Sequence, residues 1–114
     1  MALSAELTVE TRPNAVVFTV SIRNDGDESV DLTFPTGQTA DVVVRSTDDP
    51  AEVVWRWSDD RLFTQAIRQV TLAPGESLDE ELTWADPQPG TFRAEATLEA
   101  TDARVSAGGR FSLR

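Results

Sequence analysis

The feature that most constrains this chain is an apolar residue at every second position, sustained almost from one end to the other. Side chains alternate across a β-strand with a period of two, so such a row puts one face into a core and the other into water. In AVVFTVSIRN, residues 15–24, Val16, Phe18, Val20 and Ile22 share one face while Val17, Thr19, Ser21 and Arg23 share the other. TFRAEATLEA repeats the pattern with Phe92, Ala94, Ala96 and Leu98 inward. Shorter runs are LSAELTVE (Leu3, Ala5, Leu7, Val9), VDLTF (Val30, Leu32, Phe34), ADVVVRS (Ala40, Val42, Val44) and VVWRW (Val53, Trp55, Trp57), followed by IRQVTL, SLDEELTW and VSAGGRFSL. The spacing of Trp55 and Trp57 predicts one strand face of core aromatics, in preference to a carbohydrate-stacking platform, with Arg56 outward. Gly108-Gly109 predicts a bulge in the last strand. No window of helical length carries an i, i+3, i+4 stripe.

Turn signals separate these runs: Arg12-Pro13-Asn14, Asn24-Asp25-Gly26-Asp27, Asp48-Asp49-Pro50, Ala73-Pro74-Gly75-Glu76 and Asp86-Pro87-Gln88-Pro89-Gly90. Gly26 is expected at positive φ in a tight hairpin turn. Eight or nine short strands at roughly 8–12-residue spacing predict an all-β fold, an immunoglobulin-like antiparallel β-sandwich. With 114 residues the chain is long enough for one core, and a single sandwich domain over 1–114 is expected.

Two connections are unusual. Phe34-Pro35-Thr36-Gly37-Gln38 is more than a minimal reversal: Pro35 cannot donate to a ladder, and Gly37 is expected to permit the turn. SDDRLFTQA, residues 58–66, holds Leu62 and Phe63 in polar surroundings, and reads either as a short helical plug or as an exposed recognition loop. If consecutive strands simply alternate in direction, 11–14, 34–38, 57–66 and 85–90 meet at one end, with 24–28, 47–51, 73–76 and 101–104 at the other.

Composition then closes off chemistry. The chain has no Cys and no His, and all ten basic residues are Arg. Thiolate nucleophiles, Cys-based metal sites, imidazole bases and lysine chemistry are thereby excluded. Adjacent acids at Asp48-Asp49, Asp59-Asp60 and Glu80-Glu81 read as solvated surface, because 20 acids in 114 residues make such neighbours unavoidable. Asn24-Asp25-Gly26-Asp27-Glu28 lacks the spacing and the closing Glu of an EF-hand. No catalytic residue, metal ligand or cofactor is expected, and the protein is read as a non-enzyme. A net charge of −10 repels phosphate backbones and anionic membranes, so no nucleic-acid or membrane partner is expected. Spread evenly and without lysine, that charge resembles the composition of proteins from salt-adapted (halophilic) cells. The N-terminal stretch lacks the apolar core of a signal peptide, and no run approaches a membrane span, so a cytoplasmic protein is expected.

FPTGQTADVVV, then VVWRWSDDRLFTQAI, LAPGESLDEELTW and PGTFRAEATL, together resemble the intracellular proteinase inhibitor family, often called BsuPI-like. Its members carry Phe-Pro-Ser/Thr-Gly-Gln, a Trp-Arg-Trp-Ser run leading to Phe-Thr-Gln, a Pro-Gly-Glu turn and Pro-Gly-Thr-Tyr/Phe before a late strand. Here these are Phe34 to Gln38, Trp55 to Ser58, Phe63 to Gln65, Pro74 to Glu76 and Pro89 to Phe92. The resemblance implies an immunoglobulin-like sandwich that inhibits an intracellular subtilisin-like serine proteinase. An inhibiting sandwich would hold loops rigidly in the enzyme's cleft, which assigns partner binding to Pro35, Thr36, Gly37, Gln38, Arg61, Leu62, Phe63, Thr64 and Gln65. Competing with that, Phe34 and Phe63 could cap the core while Gln38 and Gln65 bond loop backbone. The alternative function is a protein-binding scaffold that pairs through an exposed strand edge.

Overall fold

A computed structural model describes residues 2–48 and 50–114. It contains nine strands: β1 (Leu3–Arg12), β2 (Ala15–Asn24), β3 (Val30–Phe34), β4 (Ala40–Ser46), β5 (Val53–Arg56), β6 (Arg68–Leu72), β7 (Ser77–Ala85), β8 (Gly90–Leu98) and β9 (Ser106–Leu113). A 3-10 turn, Trp57–Asp60, follows β5. The strands form an antiparallel β1-β2-β7 sheet, an antiparallel β5-β4-β8-β9 sheet and a short β3-β6 ribbon. The expected all-β sandwich is therefore the fold, and each long alternating run of the sequence is a strand.

Local chemistry explains several joints. Pro13-Asn14 links β1 to β2, whose register closes at Arg12 opposite Ala15. At Ala73–Glu76 the Glu76 N–H donates to the Ala73 carbonyl at 2.9 Å and Gly75 has φ +82°, the Pro-Gly arrangement of a type II turn. Gly26 does not adopt positive φ, contrary to expectation. Its place is fixed by space instead: a Cβ there would stand 3.1 Å from that of Ala2. Nor does Gly108-Gly109 make a bulge. The β8–β9 register runs continuously from Gly90–Leu113 to Thr97–Ser106, and the irregularity lies in β4, between Val44 and Arg45 opposite β5.

The predicted inward residues of β2, β4 and β8 are all buried. Val17 and Val43, on the opposite strand faces, are buried as well, at 6% and 8% exposure, so strict alternation understates the cover on these strands. One set of rings joins the sheets. Phe18 of β2, Trp55 of β5, Trp84 of β7, Phe92 of β8 and Phe111 of β9 contact each other in a closed circuit, with centroids 5.4–6.0 Å apart. Each such pair contributes about 0.5–1.5 kcal/mol beyond burial. Trp57 lies outside that circuit, because β5 stops at Arg56 and the next residue begins the 3-10 turn. The expected shared strand face of Trp55 and Trp57 is therefore replaced by two separate aromatic groups.

The strand registers also rearrange the ends. Leu98 pairs with Ala40, and Ser46 with Phe92, so the 34–39 and 85–90 connections lie at opposite ends of β8. Asp86 N–H donates to Asn14 O at 2.9 Å, placing 11–14 with 85–90. The other end collects 34–39, 57–67 and 99–104, together with 24–28 and 73–76. Simple alternation fails because β3 and β6 do not cross the sandwich. They pair with each other as a ribbon inside the two long connections.

Candidate functional site

The two unusual loops do meet, although not for the reason alternation suggests. Gly37 N–H donates to the Thr64 carbonyl at 2.9 Å. A Cβ on Gly37 would come within 2.8 Å of Thr64 Oγ1, and Gly37 is not among the positive-φ glycines. Its role is to admit Thr64 rather than to permit the reversal. Within 35–39, Thr36 Oγ1 accepts from Gln38 N–H at 3.0 Å, and the Gln38 amide donates to Ala40 O at 3.3 Å. Arg68, at the start of β6, then ties the loop to the ribbon. Its Nε donates to Thr36 O, its Nη2 donates to Thr39 Oγ1 at 2.9 Å, and its guanidinium stands 4.8 Å over Phe34, which is fully buried.

SDDRLFTQA divides into the short helical turn that was one of its expected forms and an irregular stretch after it. The 3-10 turn at Trp57–Asp60 comes first, and residues 61–67 follow without helix or strand. Arg61 is in extended backbone at φ −125°, ψ 146°, and its N–H donates to Ser58 O at 3.2 Å. Its Nε donates to Trp57 O at 3.1 Å, and its guanidinium lies 4.3 Å from the Trp57 ring centre. Phe63 packs on the same indole at 5.6 Å and is only half-exposed, so it does not project as the sequence reading allowed. Leu62, between them, has a relative exposure of 102%. Ile67 closes the stretch at 72%, and the Gln65 amide donates to Phe63 O at 3.4 Å.

Three anchors escaped the sequence reading. Asp41 in β4 is 5% exposed; its Oδ1 accepts from Val42 N–H at 2.9 Å and Ser58 N–H at 3.1 Å, and its Oδ2 accepts from Ser58 Oγ at 2.6 Å. The available signal was an acid within a run of valines. Glu99 lies near it, and its carboxyl is raised above the ordinary range, first by burial and then by the charge of Asp41. On the next loop, Asp102 Oδ1 accepts from Thr33 N–H at 3.0 Å, which lowers its pKa, while Thr101 N–H donates to Thr33 O and Glu99 N–H to Thr39 O. Residues 99–104 thus form a third side of the same end.

Among the described residues the acid pairs line no cleft. Asp59 and Asp60 are exposed, Glu81 is exposed beside a half-buried Glu80, and Asp49 lies outside the described residues. Among the described residues no three His, Cys, Asp or Glu side chains converge in a way that would hold a metal ion.

The profile of the BsuPI family, described as intracellular proteinase inhibitor, matches residues 3–103. The chain belongs to that family. The match spans both unusual loops and the strands that carry them, so the resemblance carried by Phe34 to Gln38 and Trp55 to Gln65 stands. No curated protein matches. Among solved structures, the chain is similar to Spo0M, a sporulation control protein from Bacillus subtilis, with a TM-score of 0.64 and 16% identity. That likeness covers 98% of this chain and 49% of Spo0M. It is also similar to β-glucosidase 3B from Thermotoga neapolitana (TM-score 0.51, 16% identity, 97% of this chain and 15% of that one). A CARDB domain from Pyrococcus furiosus, solved in complex with di-metal ions, is similar at TM-score 0.50 and 18% identity, over 97% of this chain and 84% of that one. At such identities the likenesses speak for the sandwich fold alone. The chain spans about half of Spo0M and under a sixth of the glucosidase.

Proposed function

We propose that this member of the proteinase inhibitor family acts as one cytoplasmic domain on an intracellular subtilisin-like serine proteinase, gripping it with the end formed by 35–38 and 61–65. The observation that carries the reading is Leu62, a fully exposed apolar side chain in an irregular segment whose flanks are tied to the framework at Ser58 and Thr64. A loop held in advance loses little freedom on binding, which is what a tight competitive inhibitor needs. Pro35, Thr36, Gly37 and Gln38 brace the segment through the Gly37–Thr64 bond, while Arg61, Leu62, Phe63, Thr64 and Gln65 form the contact strip.

The edge-pairing alternative has weaker support. Of the outer strands of the two larger sheets, β1 and β9 lie beside one another, β5 has only four residues, and β7 carries Glu80 half-buried on its inward row, a charge that discourages strand addition. Titration of a subtilisin with the purified protein tests the inhibitor reading. Inhibition in the nanomolar to micromolar range is expected, unchanged when Pro87 and Pro89 at the opposite end are replaced by Ala. Full proteinase activity at the highest inhibitor concentration, across several subtilisin-like enzymes, would dismiss it.

A further inference from the structure

In an extended segment, residues two apart face the same way and the one between them faces the opposite way. Arg61 and Phe63 both turn onto Trp57, one through its guanidinium at 4.3 Å and the other through its ring at 5.6 Å. Leu62 is thereby aimed away from the protein by two pinned neighbours rather than merely left uncovered. Its 102% exposure has a cause, and the cause is an indole acting as a clamp on either side of it.

Resting on the inhibitor reading above, we propose that Leu62 alone is the side chain that enters the proteinase's primary specificity pocket, and that Trp57 is the positioning residue that presents it. Phe63 is not an alternative pocket residue, because withdrawing it from Trp57 would break the clamp. The target's pocket is therefore apolar and sized for a branched aliphatic chain. The segment also continues past Leu62 to a second exposed aliphatic, Ile67, beyond the point where the Thr64 carbonyl is fixed to Gly37. The contact strip ahead of Thr64 is thus short, and its apolar selectivity is concentrated in one residue.

The test is a transfer of specificity. Subtilisin prefers apolar or aromatic side chains in its pocket, whereas trypsin has an acidic pocket that takes Arg or Lys. Wild-type protein, Leu62→Arg, Leu62→Gly, Trp57→Phe and Trp57→Ala are each titrated against both enzymes. Because Leu62 touches nothing, its variants are expected to unfold at the wild-type temperature. Leu62→Arg is expected to lose at least about 30-fold against subtilisin and to acquire inhibition of trypsin; Leu62→Gly should lose the first without acquiring the second. Trp57→Ala should weaken inhibition of subtilisin, and Trp57→Phe, which restores a ring for Phe63 and Arg61, should recover most of it. If the wild type inhibits subtilisin but Leu62→Arg and Leu62→Gly do so equally well, the assignment of Leu62 is overturned while the inhibitor reading survives. If neither wild type nor Leu62→Arg inhibits either enzyme, both fall together.

Discussion

Glu99 shows how one residue can record a conflict in the fold. It is half-buried near Asp41, and the folded protein raises its pKa, first by desolvation and second by the neighbouring negative charge. A carboxyl whose folded pKa lies above its unfolded one holds its proton more tightly when folded. Its ionised form therefore costs stability at neutral pH, and that cost fades as pH falls through the raised pKa toward the ordinary glutamate value of 4.5. Glu99→Gln is expected to unfold at a higher temperature than wild type at neutral pH, with the gap shrinking as the pH is lowered. Thermal unfolding across that range checks it; a gap that is constant with pH would contradict the account. Nothing in the sequence marks Glu99, because its partner is 58 positions away (99 − 41) and the two meet only through the β4–β8 register. Phe34 was legible by contrast, since a strict alternating row ends on it.

At the level of elements, the turn that leads into the exposed strip hangs from β4 by one carboxylate. Asp41 spends its acceptors on the Val42 and Ser58 N–H groups and on the Ser58 hydroxyl, so the 3-10 turn is bonded to a central strand just before the exposed stretch begins. Hydrogen bonds to a charged group contribute about 1.5–3 kcal/mol each. Ser58→Ala removes one such bond without removing the charge. It is expected to destabilise the protein by roughly 1–3 kcal/mol in urea unfolding and, more tellingly, to speed proteolytic nicking within 61–67 while the rest of the chain stays protected. Equal nicking rates in the two proteins would mean that the strip draws its order from elsewhere. The elements themselves were legible because each long alternating run became a strand. The meeting of their ends was not, because β3 and β6 look like through-going strands in sequence and only pairing reveals them as a ribbon.

The whole molecule carries a net charge of −10. The ion pairs among the described residues, Arg12–Glu10, Arg23–Asp25 and Arg56–Asp59, all involve side chains at least 40% exposed, where such pairs contribute little. Self-repulsion therefore goes largely unanswered by local pairing. Added salt screens it within about 10 Å at 0.1 M, so the unfolding temperature is expected to climb as sodium chloride is raised from low to molar concentration. A flat or falling trend would remove the salt-adaptation reading and leave an ordinary acidic domain. The strip at 61–67 is subject to the same field, and a proteinase with a basic rim should meet this end faster at low salt than at high.

The separation of the indoles also makes the protein its own spectrometer. Trp55 and Trp84 lie nearly parallel, 17° apart and 5.4 Å between centres, close enough for their electronic transitions to mix and to mark the near-ultraviolet dichroism of the closed sandwich. Trp57, the remaining one of the chain's three tryptophans, sits under a guanidinium at the root of the exposed strip. Emission from that one indole therefore reports the hold on Arg61 and Phe63, while the dichroic signal of the other two reports the core. A proteinase seated on the strip would change the first and leave the second untouched.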